Sequence, residues 1–122
     1  MTATRIAIDG GGRLAASVLR ALAGRDDLEL VALNAPPGCS DAGADVEGAD
    51  VVRLRERDTR RLPWKRHAVD IVIDCAGGDA RDHLGAGARK VLNCAPVAAW
   101  HDKTVVYGIN HHALRDSHRS VH

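Results

Sequence analysis

The sequence predicts a doubly wound α/β domain, a single unit spanning residues 1–122, with a largely parallel sheet of five or six strands. Three observations lead there. Short runs rich in β-branched and aliphatic residues alternate with helical or glycine-rich stretches, the pattern of strands joined by crossover helices. One strand, Asp70 to Asp74 (DIVID), is apolar without alternation, as expected for a strand buried on both faces. A glycine turn, Gly10-Gly11-Gly12, sits between the first strand and the first helix.

Taken in order, Arg5 to Ile8 is the first strand, and Leu14, Val18, Leu19 and Leu22 then recur at helical spacing, with Gly24 as the stop. Glu29 to Leu33 is the second strand. From Asn34 to Asp50 the composition turns to Ala, Gly, Pro and Asp, which reads as a long loop with one helical turn near Asp41. Val51 to Leu54 is a short strand, followed by a basic segment running from Arg53 to Arg66. Asp79 caps a short helix that reaches Leu84, and Gly85-Ala86-Gly87 breaks it. Lys90 to Asn93 and Thr104 to Ile109 supply two further strands, and His111 to Asp116 reads as a last helical turn.

Composition sets limits on function. The net charge of +1 argues against a protein built to bind nucleic acid or an anionic membrane. No apolar run approaches the roughly 18 residues of a membrane span, and a strand pattern begins within five residues of Met1, so neither span nor signal peptide is expected. With no Phe, one Tyr and two Trp, the core is aliphatic. Cys39, Cys75 and Cys94 form no CxxC pair and suggest buried thiols in a reducing compartment, hence a cytoplasmic protein.

The turn Gly10-x-Gly12-x-x-Ala15 carries the chemistry. In a strand-turn-helix setting the first glycine permits the tight turn and the second lets backbone approach a pyrophosphate. A small third residue allows close helix–strand packing. The helix N-terminus then offers free N–H groups to phosphate oxygens. The same fingerprint expects an acid about twenty residues further on, at the end of the second strand, to take a ribose 2′-hydroxyl. Here that strand end reads Asn34-Ala35-Pro36, and the acid is missing.

Several strings, in chain order, resemble the cofactor half of the glyceraldehyde-3-phosphate dehydrogenase family: RIAIDGGGRLAASVLRAL, LELVALNA, RERDTRRLPW with VDIVIDCAGG, HLGAGARKVLNCAP and DKTVVYGINHHAL. The resemblance implies a Rossmann-type NAD(P)-binding fold. It places Gly10, Gly12, Arg13 and Leu14 at the pyrophosphate turn, Asn34, Ala35 and Arg57 at the adenosine end, and Gly77, Cys94 and Ala95 beside the nicotinamide ribose. Ala35 stands where NAD-dependent members carry Asp, so NADP is favoured over NAD. Departures are equally plain: Asp9 replaces the family's Asn, Gly11 its Phe, Ala15 and Ala16 its Gly and Arg, Ala76 its Thr, and Cys94 its Ser. The segment between Ala35 and Arg53 is shorter than the family's helix and hairpin. The Asn-Ala-Ser-Cys string of the nucleophile is not in the sequence, and no residue inherits a catalytic role.

Two functions follow as expectations. The first is a stand-alone domain that binds a dinucleotide or a small phosphorylated ligand, working as a homo-oligomer or with a separate protein partner. The second is a repurposed small enzyme whose former cofactor cleft holds another substrate, lined by Asp9, Asp74, Cys94 or His111. A third, bland reading is the product of a decaying or split gene whose other half is encoded separately. No metal is expected: His118 and His122 are spaced by four, but packing or exposed histidines are the simpler reading. Cys94 is read more readily as a buried inert thiol than as a nucleophile, and the Arg53 to Arg66 segment as a solvated face or an anion-binding one.

Overall fold

A computed structural model describes residues 3–38, 51–94, 109 and 111–121. Strand β1 (Thr4–Asp9) leads through the glycine turn into helix α1 (Gly12–Leu22), and β2 (Leu28–Asn34) returns beside β1. The chain continues through β3 (Val52–Leu54), a 3-10 turn (Thr59–Arg61), β4 (Ile71–Asp74), α2 (Ala80–Gly85) and β5 (Lys90–Asn93). A second 3-10 turn (His111–Ala113) precedes β6 (Ser120–Val121). All neighbouring strands pair in parallel, in the order β3-β2-β1-β4-β5-β6. This is the strand order of the dinucleotide-binding doubly wound fold.

Period-two alternation sends side chains to opposite faces of the central strands. Ile6 and Ile8 of β1, Leu33 of β2 and Ile73 of β4 pack on one face with Ala15, Val18, Leu19 and Leu22 of α1. The buried stripe of α1 therefore begins at Ala15, while Leu14 is 40% exposed. A small residue at that position lets the helix lie close to the strands. Ala7, Ala32 and Val72 face the other way and meet Leu62, Trp64, Val69 and Ala88, joined by Val31, which the register shift between the Ile6–Leu30 and Ala7–Ala32 pairs leaves without a partner on β1. Each large aliphatic side chain buried this way contributes about 1.5–3 kcal/mol.

The cover on the second face is the compact turn from Leu62 to Val69, with Trp64 fully buried in it. His67 N–H donates to Pro63 O and Val69 N–H to Trp64 O, and Ala68 adopts a left-handed φ of 51° to close the turn. Arg5 fastens this turn to the sheet through two guanidinium hydrogen bonds to His67 O, at 3.1 and 3.0 Å.

The C-terminal part of the chain departs from the expectations. The last described helical segment is a single 3-10 turn of three residues, not a helix to Asp116. Ser120 and Val121 form an edge strand that hydropathy gave no reason to expect, held by Val91 N–H donating to Arg119 O at 2.7 Å. The strand expected over Thr104 to Ile109 lies outside the described residues apart from exposed Ile109, as do the helical turn near Asp41, Cys39 and Ala95. No helix among the described residues is long and apolar enough to cross a membrane.

Candidate functional site

The strand order reverses direction at β1, whose neighbours are β2 on one side and β4 on the other. A crevice opens at such a point beyond the C-terminal strand ends, and ligands of this architecture bind there. Asp9 and Asp74, the last residues of β1 and β4, are register partners buried beneath it. The glycine turn forms its rim. Gly10 has φ of 127°, and a Cβ on it would lie 3.0 Å from the backbone of Cys75 and Ala76, so no side chain fits. Gly12 has φ of 77° and opens toward free space. Both backbone conformations are natural only to glycine.

Helix α1 starts at this rim without a side-chain cap on Gly11 and without an acid in its first turn. Its leading N–H groups have no capping side chain, and the positive end of the helix dipole is unbalanced. Arg13, exposed in that same first turn, adds a positive charge where an isolated helix would disfavour one.

Beneath the rim lies a sealed polar network. Trp64 Nε1 donates to His83 Nδ1 at 3.0 Å, and His83 Nε2 lies 3.0 Å from Asp74 Oδ2 and 3.4 Å from Asp9 Oδ2. Indole N–H is only a donor, so Nδ1 must accept and the imidazole proton sits on Nε2, facing the carboxylates. Asp74 Oδ1 accepts from the backbone N–H groups of Ala76 and Gly77, at 2.7 and 3.0 Å. Asp9 Oδ1 accepts from Asn34 Nδ2 at 2.7 Å. Burial, aided by the neighbouring Asp74 charge, pushes the Asp9 carboxyl above the ordinary range despite the Asn34 and His83 contacts.

Asp9, Asp74 and His83 bring three potential ligand atoms within 4.8 Å of one another, the composition of a cation site. The hydrogen bonds suit a proton network better. A metal-bound imidazole donates its second nitrogen outward to an acceptor, whereas His83 receives a bond on that nitrogen. The network is also closed: Asp9, Asp74 and His83 are buried, so the acids do not line an open cleft as the enzyme expectation had them.

The anticipated contact residues gather at the same edge of the sheet. Gly10, Gly12, Arg13 and Leu14 form the turn and the exposed start of α1. Asn34 is buried, its amide spanning Asp9 Oδ1 and Glu56 O while its Oδ1 accepts from Glu56 N, so it ties three segments together. Ala35 is buried and extends β2 by donating its N–H to Leu54 O at 3.1 Å. Arg57 is exposed beyond β3. Gly77 follows β4, and Cys94 follows β5 at the surface, which corrects the expectation of a buried thiol. Trp64, His83 and Cys75 were not anticipated. The one available signal was that two central strands, RIAID and DIVID, both end in Asp.

No protein-family model matches the chain.

Proposed function

We propose that this domain binds a dinucleotide or a related phosphorylated ligand, with its phosphates on the Gly10–Gly12 turn and the start of α1. The observation that carries this reading is a left-handed glycine turn at the sheet's reversal point, opening on an uncapped, acid-free helix start that bears Arg13. The sequence resemblance to the cofactor half of glyceraldehyde-3-phosphate dehydrogenase supports the same ligand class. NADP is the favoured dinucleotide over NAD. No carboxylate follows β2 at Ala35 or Pro36 to repel a 2′-phosphate, and exposed Arg57 lies just beyond the neighbouring strand β3. A cytoplasmic setting and self-association belong to this proposal.

Calorimetric titration with NADP+ and NAD+ in low salt, where charge preference is least screened, tests it. Saturable binding with NADP+ tighter is the expected result. Absence of binding by both dinucleotides and by adenine nucleotides at millimolar concentration overturns the ligand class, and equal affinity for the two overturns the preference.

A further inference from the structure

Cys75 and Cys94 are the residues immediately after β4 and β5. These strands are parallel neighbours, with Asp74 paired to Asn93, and Cys94 N–H continues the ladder by donating to Asp74 O at 2.9 Å. Adjacent strands lie about 4.8 Å apart, inside the Cα separation of roughly 4.4–6.8 Å that a disulfide spans. The two thiols lie close enough to shift each other's ionisation in opposite directions. Cys94 is exposed at the surface, and Cys75 is half-buried behind it, against the glycine turn. Sequence spacing showed no such pair.

We propose that Cys75 and Cys94 are a thiol–disulfide exchange site whose substrate is a low-molecular-weight disulfide. Cys94 is the attacking sulfur. Its thiolate displaces one half of the external disulfide as a thiolate, forming a mixed disulfide on Cys94. Cys75 then gives its proton to solvent and attacks the Cys94 sulfur, breaking the mixed bond and releasing the second half. Two protein thiols are oxidised to one disulfide, and the external disulfide is reduced to two thiols.

The assignment of roles rests on exposure and on charge. Cys94 is the more exposed of the two. The neighbouring Cys75 thiol holds Cys94 down at about 7, although partial burial and the Asp74 charge oppose this. The same contact, together with burial and the charges of Cys94, Asp74 and Asp9, pushes Cys75 up. A thiol near neutrality is an effective attacker, and a resolving thiol needs only proximity.

The test uses the full chain with Cys39→Ser, so that two thiols remain, and oxidised glutathione as probe. The expected result is loss of both thiols together, with peptide mapping that joins the segments holding residues 75 and 94 within one chain. Adding Cys75→Ala traps a glutathione adduct on Cys94, and adding Cys94→Ala leaves Cys75 unmodified. Iodoacetamide alkylation of Cys94 follows a pH midpoint near 7. That midpoint stays low in Cys75→Ser, which keeps a donor, and rises toward the ordinary ~8.5 in Cys75→Ala. Two free thiols, a stable double adduct, a link between chains, or an ordinary alkylation midpoint overturns the proposal. Should Cys39→Ser fail to fold, the wild-type chain is mapped instead, and a disulfide through Cys39 overturns it.

Discussion

Trp64 and His83 are joined by a 3.0 Å hydrogen bond that fixes which nitrogen of the histidine carries its proton. The bond links the cover of one sheet face to the polar network under the crevice. Trp64→Phe leaves His83 Nδ1 buried and without its donor, which costs about 1–3 kcal/mol before any loss of packing. Denaturant unfolding measures the loss. In the wild type, long-range proton–nitrogen NMR places the imidazole proton on Nε2, and a bare Nε2 would show that the network is built differently.

The pH dependence of stability reports on Asp9. Its carboxyl is raised in the folded state, so the folded form holds the proton more tightly than the unfolded one. Stability from this group is full below the unfolded value near 4 and is lost as pH rises through the folded value. Asp9→Asn removes one of two adjacent buried charges while keeping an acceptor for Asn34. It raises stability at pH 7, and the gain shrinks toward pH 4. Melting curves across that range check it, and a gain that is uniform with pH would exclude Asp9 titration as its source.

Arg13 separates ligand binding from folding. It is exposed and sits in the first turn of α1, where a negative charge suits the helix dipole better. Arg13→Glu therefore leaves the melting temperature unchanged or raises stability by about 0.3–1 kcal/mol. The same change weakens dinucleotide binding at least tenfold, about 1.4 kcal/mol. Retained affinity would place the phosphates elsewhere.

Self-association is expected through the face of β5 and β6, where Leu92 and Leu114 are 37% and 41% exposed. They border a shallow apolar cavity with Ile71, Val91 and Val121. Leu92→Glu shifts the oligomer toward monomer in sedimentation velocity. A wild-type chain that stays monomeric at micromolar concentration removes the expectation.

Most of the sheet was legible because its strands are central. Burial on both faces forces apolar runs at β1, β2 and β4, and the glycine turn and the Asp79 cap are local signals that need no tertiary context. Ser120 and Val121 carry no such pattern, because a two-residue edge strand is selected by β5 rather than by its own sequence. The same division runs through the site. Spacing along the chain reveals Gly10, Gly12 and Ala15. The meeting of residues 9, 64, 74 and 83, and of the two cysteines, depends on strand register, which single positions do not encode.

The central position of β1 has a consequence for biosynthesis. One side of β1 is paired early, since α1 and β2 follow at once, yet on the other side Ile6 pairs with Ile71, and Arg5 N–H donates to Asp70 at a separation of 65 residues. A nascent chain that has emerged only as far as β3 has Ala7, Val31 and Ala32 bare, with neither Trp64 nor Val72 yet available to cover them. Closing so long a loop is slow, and an uncovered parallel edge is a template for wrong partners. Until β4 leaves the ribosome, that face and the free side of β1 stay open to solvent.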